Sequence, residues 1–246
     1  MTASETTALA LPDYWRQLDV FDPEAFSQEV HIIGVGATGS WIAFILAKMG
    51  VKKIHAWDFD TVEAHNLPNQ IYGRADVGFP KVEALQRRLD ADCGTVVVPH
   101  NEKVDGSQKL SGIVFVCTDT MTSRKQIWTS AIKLQLGVKL MVETRLGAEV
   151  GIIHTVRPTN RADVKGFDDS LFADADGEES PCTYRAIATT VSAIAGLAAH
   201  KLIKFSAGEE MSPVLRVAQA PAESHSNYDM LCIRPIVVTT ADWGKE

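Results

Sequence analysis

Val30-His31-Ile32-Ile33-Gly34-Val35-Gly36-Ala37-Thr38-Gly39 is the stretch on which the fold turns. Val30, Ile32 and Ile33 are β-branched and favour a strand, three glycines follow, and Trp41, Phe44, Ile45 and Leu46 then recur at helical spacings between Ser40 and Met49. The reading is strand, glycine turn, helix. Gly34 allows a tight turn, Gly36 lets an anion approach the backbone, and Gly39 lets the helix pack on the strand, with the unpaired N–H groups of the helix amino terminus turned to the anion. Gly50 closes the helix, and Lys53-Ile54-His55-Ala56-Trp57 returns as a second strand, which completes a βαβ unit. Asp58 follows directly, nineteen positions past Gly39, where a carboxylate accepts hydrogen bonds from ribose hydroxyls. Together these features point to an adenine nucleotide, and taken alone they suit an NAD-dependent dehydrogenase. The glycines also have a plainer reading, as residues that merely turn the chain.

Outward from this unit the alternation continues. Pro80 fits the first turn of a helix with Val82, Leu85 and Leu89 on one face, and Thr95-Val96-Val97-Val98 supplies a third strand. Ile113 to Cys117 is a continuous apolar run, expected of a parallel strand covered on both faces, and Ser123 to Leu136 has helical periodicity. Val138 to Glu143 and Glu149 to Val156 read as two more strands. Such alternation predicts an α/β fold: a doubly wound, Rossmann-like, mostly parallel sheet with helices on both faces. Residues 1–29 form an N-terminal arm, 30–205 the nucleotide-binding domain and 206–246 a tail with edge strands in Val214 to Val217 and Cys232 to Val238. Within the domain, 157–185 reads as an acidic crossover loop, because Asp163, Asp168, Asp169, Asp174, Asp176, Glu178 and Glu179 come with few apolar anchors. Ile187 to Phe205 reads as a buried helix, since Thr189, Thr190, Ser192 and Gly196 interrupt it and its apolar part falls short of a bilayer.

The 246 residues suit one large domain, and with 46% hydrophobic and 22% charged residues the chain can bury a core, which excludes wholesale disorder. Lys plus Arg number 24 against 31 Asp plus Glu, and the net charge of −7 repels a nucleic-acid backbone rather than gathering it. Met1 to Leu11 lacks the basic and apolar segments of a signal peptide, so no export, no membrane and a cytoplasmic location are expected. The four cysteines, Cys93, Cys117, Cys182 and Cys232, contain no CxxC pair, which argues against a zinc ribbon or a disulfide framework.

Beyond Asp58 the sequence becomes more specific. Asp58-Phe59-Asp60-Thr61-Val62-Glu63-Ala64-His65-Asn66-Leu67-Pro68-Asn69-Gln70, then Val77-Gly78-Phe79-Pro80-Lys81, then Cys117-Thr118-Asp119 with Arg124 shortly after, resembles the ThiF-type family. That family includes the ubiquitin-activating enzymes and the adenylyltransferases of thiamine and molybdopterin synthesis, and the likeness runs from about Arg16 to Phe205. It implies that ATP rather than NAD occupies the glycine loop. It also implies that the C-terminal carboxylate of a small ubiquitin-like or sulfur-carrier protein attacks the α-phosphate, giving an acyl-adenylate and pyrophosphate. The implied nucleotide site comprises Gly34, Gly36, Ala37, Thr38, Gly39, Asp58, Asp60, Asn66, Asn69, Gln70, Lys81 and Asp119. Within it Asp58 would hold the ribose, Asn66 and Lys81 the phosphates, and Asp119 the Mg²⁺ ion. These residue types suit the chemistry, because a carboxylate attacking a triphosphate brings like charges together and leaves catalysis to cations and positioning. Each has a plainer reading as well. Asp119 could cap the next helix in competition with Thr120 and Thr122, Lys81 could be a solvated first-turn residue, and Asn66 could form a turn.

Arg16-Gln17-Leu18 is similar to the family's Arg-Gln element, whose arginine reaches the ATP of the other subunit, which implies a homodimer; a surface arginine is the alternative. Asn69 departs from the family, where an arginine usually holds the fourth position of Asn-Leu-X-Arg-Gln and meets the polyphosphate. Asparagine has no charge to offer, which leaves three readings: Arg74 reaches back, turnover is slow, or nucleotide is bound without turnover. Cys182 lies where several members hold a cysteine that takes the acyl group as a thioester or persulfide, and a helix amino terminus with Arg185 nearby would favour its thiolate. Cys117 and Cys93 read as structural. The activity implied is ATP- and Mg²⁺-dependent adenylation with Lys81, Asp119, Arg16 and Cys182 as catalytic groups. The rivals are a non-catalytic nucleotide-binding scaffold of the same fold and an NAD(P)-dependent oxidoreductase, for which no Tyr-x-x-x-Lys or comparable histidine is found.

Overall fold

The computed structural model describes residues 12–146, 150–173, 188–219 and 236–243. β1 (Val30–Ile33) leads through the glycine turn into α1 (Ala37–Lys48), and β2 (Lys53–Trp57) then pairs with β1 in parallel. α2 (Lys81–Cys93), β3 (Val96–His100), β4 (Gly112–Val116), α3 (Met121–Ile127), β5 (Val138–Leu146), β6 (Val150–Val156), α4 (Arg161–Asp169), α5 (Ala188–Ser206), β7 (Val214–Gln219) and β8 (Ile236–Ala241) follow. They build an eight-stranded sheet of order β3-β2-β1-β4-β5-β6-β7-β8. From β3 to β5 the neighbours are parallel, and from β5 to β8 antiparallel. The strand order reverses between β1 and β4, and the crevice beyond the carboxyl ends of such strands is where open α/β sheets bind their ligands.

β1 is buried along its whole length, and its side chains divide between two cores as the period of a strand requires. Val30 and Ile32 join Ile42, Leu46, Leu85 and Leu202 beneath α1, α2 and α5. Ile33 joins Trp57, Val114, Val116, Trp128 and Phe167 on the opposite face, beneath α3 and α4.

The helix expected over Ser123 to Leu136 is corrected at both ends. α3 starts at Met121 because the Thr120 hydroxyl accepts from the Ser123 N–H at 3.2 Å. After a π-helical turn over Trp128–Ile132 the helix stops, with Leu134 at φ +61°. The acidic crossover is corrected too, since it holds α4. The Asn160 side chain accepts from the Ala162 and Asp163 N–H groups, and Val164 and Phe167 are buried one turn apart. Asp163 pairs with Arg157 and Asp168 with Lys133. Counting acids alone hid an amphipathic helix whose charges are partnered. Residues 174–187, including Cys182 and Arg185, lie outside the described residues, as do residues 232–235 of the strand expected from Cys232. Among the described residues no helix is long and apolar enough to cross a membrane. Cys93 and Cys117 are free thiols.

Candidate functional site

The three glycines of the loop do different work. Gly34 has φ +84°, its N–H donates to the Trp57 carbonyl at 2.8 Å, and a Cβ there would stand 2.8 Å from the Cys117 carbonyl oxygen. A Cβ on Gly39 would lie 1.9 Å from the Gly34 carbonyl oxygen. The protein's own packing therefore demands both. At Gly36 a Cβ would meet nothing nearer than Gln70 Nε2, at 3.9 Å, so this glycine faces open space. Gly36 is also the N-cap of α1 and no side chain caps that helix, so its first N–H groups and the positive end of its dipole are offered to the same opening.

Asp58, at the end of β2, is 8% exposed and clamps the loop. Its carboxylate accepts from the Val35 N–H at 2.8 Å and the Asp60 N–H at 2.9 Å, while lone pairs remain for a ligand. Burial raises its pKa, against the pull of the Lys81 charge and these two N–H groups. Lys81 is 6% exposed and its Nζ donates to Asp60 Oδ2 at 2.8 Å, which overturns the reading of a solvated first-turn lysine. A cation at a helix amino terminus opposes the dipole, and the half-exposed Asp60 carboxylate offsets that. The Lys81 N–H donates to the Asp60 carbonyl at 2.9 Å and Thr61 bridges to Pro80, so the Asp60 and Lys81 backbones are fixed side by side.

The segment after Asn66 is laid along the loop. Trp41 Nε1 donates to the Asn69 carbonyl at 3.2 Å, the Ile71 N–H to Ser40 Oγ at 3.4 Å, and the Tyr72 hydroxyl to the Val35 carbonyl at 2.7 Å. Gln70 is buried next to Gly36, and its Oε1 has no hydrogen-bond partner among the described residues. Asn66 ends a short 3₁₀ turn over Ala64–Asn66, the turn role its plainer reading allowed. Arg74 opens another such turn two residues after Tyr72, with its side chain exposed.

The third wall follows β4. Thr118 N would lie 3.2 Å from a Gly34 Cβ, which places Asp119 one residue from the loop. Asp119 is exposed, and Thr120 rather than Asp119 caps α3, so the cap reading fails. The Thr118 Oγ1 atom is buried and unbonded among the described residues. Burial pushes the Cys117 thiol up to about 12, as a structural cysteine requires. Gly34, Gly36, Ala37, Thr38, Gly39, Asp58, Asp60, Gln70, Lys81 and Asp119 thus lie on loops and helix starts that meet beyond the carboxyl ends of β1, β2 and β4. Arg16 does not join them. It sits on a 3₁₀ turn that Gln17 ties to the Met49 carbonyl at 2.7 Å, and the 12 residues of α1 separate that end from Gly36 by roughly 18 Å.

Sequence reasoning missed two polar clusters. Glu143 of β5 is completely buried, with Oε1 2.8 Å from Arg124 Nε and 2.9 Å from Arg145 Nε, and Oε2 2.6 Å from His154 Nδ1. Burial pushes Glu143 up, but the bond from His154 and the charges of Arg124, His154 and Arg145 outweigh it and hold the carboxyl at about 2. A lone Glu in the apolar run of β5 was the available signal. On β1 to β3, His31, His55 and His100 stack with Trp57, whose Nε1 donates to His31 Nδ1 at 3.2 Å. Their register, one histidine per neighbouring strand, is visible only once the strands are paired.

A model of the ThiF family matches residues 16–235. The chain belongs to the ThiF family. Over 125 residues it is 30% identical to the molybdopterin-synthase adenylyltransferase of Salmonella typhimurium, covering 46% of this chain and 50% of that one. Over 78 residues it is 38% identical to the Nedd8-activating enzyme E1 catalytic subunit of Drosophila melanogaster, covering 31% of this chain and 17% of that one. The chain spans half or less of the length of these relatives. E. coli MccB, solved with ATP, superposes with a TM-score of 0.62 at 19% identity over 89% of this chain and 65% or less of its own, namely 64%, a likeness of fold alone.

Proposed function

We propose that this protein binds ATP with Mg²⁺ and adenylates the C-terminal carboxylate of a small ubiquitin-like or sulfur-carrier protein in the cytoplasm. The observation that carries this is the opening at Gly36, faced by the uncapped amino terminus of α1 and clamped from the end of β2 by Asp58, which the buried Lys81 reaches through Asp60. The donor set fits a polyphosphate: backbone N–H groups at a helix start, a lysine held in place, and the buried, unbonded Thr118 hydroxyl. Ala37, Thr38 and Gly39 carry the N–H groups, Asp58 takes the ribose, Lys81 and Asn66 the phosphates, and Asp119 the metal. Asn69 and Gln70 line the phosphate side. Magnesium supplies positive charge where two anions must meet. The carrier carboxylate oxygen forms a bond to the α-phosphorus as the bond to the bridging oxygen breaks, and pyrophosphate leaves.

Arg16 lies too far from its own loop to serve it, so in this reading it serves a second copy, and the working unit is a homodimer. The Cys182 thiolate then takes the acyl group from the adenylate as a thioester, and AMP leaves. The relative named molybdopterin-synthase adenylyltransferase and the MccB structure solved with ATP support this reading. The experiment is ATP–pyrophosphate isotope exchange with candidate carriers ending in Gly-Gly. Exchange in the wild type, raised tenfold or more in Asn69→Arg, supports adenylation with a weakened cation set. Asn69 also favours a second reading, a scaffold that binds nucleotide without turnover; Mg-ATP binding with no exchange in either protein would select it.

A further inference from the structure

Glu143 lies in the interior of the sheet, yet its contacts lead to the candidate site. The Arg124 guanidinium it pairs with is itself buried, and that guanidinium donates to two backbone carbonyls: Thr144 at 3.0 Å and Thr118, the residue before Asp119. Arg124 Nε faces Glu143 as an ion pair at 2.8 Å rather than as an aligned hydrogen bond, while one terminal nitrogen, Nη2, spans the two carbonyls. The other arm of Glu143 goes elsewhere. Arg145 donates to the Ser170 carbonyl at 2.8 Å and to its hydroxyl at 3.1 Å, at the end of α4. The turn between β4 and α3 has few other ties. Thr120 caps α3, and Asp119 is exposed and makes no hydrogen bond or ion pair among the described residues.

We propose that Glu143, acting through Arg124, is a positioning residue that fixes the Thr118 carbonyl and so aims the Asp119 carboxylate into the nucleotide and metal site. This rests on the nucleotide reading above for what Asp119 holds, and on the hydrogen bonds alone for how Asp119 is held. A loop carboxylate with no contact of its own would sample many directions, and a metal ligand gains affinity when its rotamers and backbone are fixed in advance. The fold gains little from this arrangement that apolar residues could not supply, because buried ion pairs give modest net stability.

Arg124→Lys tests it. The variant keeps a positive charge but has one nitrogen where Arg124 uses two, Nε against Glu143 and Nη2 between the carbonyls, so it cannot hold both places. Cooperative urea unfolding near the wild-type midpoint is expected, with at least tenfold faster amide hydrogen exchange at positions 123 and 124, whose N–H groups Thr120 accepts, and at least a tenfold rise in the Mg²⁺ concentration that half-saturates ATP binding. Glu143→Gln should move both readouts in the same direction. Ser170→Ala, which removes only the hydroxyl bond at the end of the Arg145 arm, should move neither. Unchanged exchange at positions 123 and 124 in Arg124→Lys overturns the proposal. So does faster exchange with unchanged Mg²⁺ dependence when Asp119→Asn has lost that dependence. If Asp119→Asn itself responds to Mg²⁺ like the wild type, the metal reading of Asp119 has failed and this proposal falls with it.

Discussion

Replacing Gly36 by alanine is expected to leave the fold standing and to abolish nucleotide binding, while the same change at Gly39 damages the fold. At Gly36 the added methyl meets nothing within 3.9 Å and φ is −74°, so the site accepts it. Removing a glycine from the unfolded ensemble even favours folding slightly, and the net change should stay within about 1 kcal/mol, or roughly 2–4 °C in Tm for a chain of this size. The methyl, however, stands where an anion must approach the α1 amino terminus. Losing two charge-assisted hydrogen bonds at about 1.5–3 kcal/mol each weakens Mg-ATP by a hundredfold or more. At Gly39 the methyl would sit 1.9 Å from a carbonyl oxygen whose own residue is pinned in the left-handed region, so backbone must move. A loss of about 3 kcal/mol or more follows. Urea unfolding and titration calorimetry on the two variants give the test. Wild-type affinity in Gly36→Ala, or equal destabilisation of both variants, would refute the view that Gly36 alone is shaped by a ligand.

Lys81→Met should change stability by no more than about 1 kcal/mol, since its partner Asp60 is half exposed, and should weaken Mg-ATP at least tenfold; a large fall in Tm with intact binding would make Lys81 structural. Asp58→Asn leaves an acceptor for only one of the Val35 and Asp60 N–H groups, so urea unfolding should show a loss of about 1–2 kcal/mol. Burial, with His55 beside it, pushes His31 down to about 4 from 6.5. The unfolded chain therefore binds the extra proton between those values, and stability falls as pH drops through that window, by about 2.5 kcal/mol at pH 4.5. Measured as the difference between pH 7 and pH 4.5, this loss should shrink by that amount in His31→Gln; equal losses in both proteins would exclude His31 as its source.

Where the sequence was legible, the reason is local. The stretch from Val30 to Asp58 specifies strand, turn, helix and strand through period and glycine placement, and the pairing of β1 with β2 follows from the short connection. The family likeness rests on residues whose backbone geometry is fixed nearby, which is why Asp58, Asp60 and Lys81 are found in mutual contact. Long-range placement was not legible. Nothing in Arg16-Gln17-Leu18 says that Gln17 would bind the far end of α1. Nothing in the run from Arg157 says that Asp163 and Asp168 would each meet a cation and leave Val164 and Phe167 to build a helix. Glu143 was passed over because a single acid in an apolar strand gives no sign of the arginines that reach it from α3 and from its own strand.

Charge explains why these parts belong together. Asp58, Asp60 and Asp119 surround the opening, and Lys81, already engaged by Asp60, is the buried cation that opposes them. A polyphosphate adds more negative charge, so binding has to be an exchange in which Lys81 turns from Asp60 toward phosphate and a further positive charge arrives. Asn69 cannot supply it. Arg74 is exposed and has no carboxylate partner among the described residues, but it is solvated, and an exposed cation is screened within about 8–10 Å at ordinary ionic strength. In the function proposed above, a divalent ion at Asp119 would carry twice the charge at the point where the anions meet. Nucleotide affinity in this chain should accordingly depend more steeply on Mg²⁺ than on Arg74, and an Arg74→Ala variant that loses more affinity than removal of Mg²⁺ does would reverse that ranking.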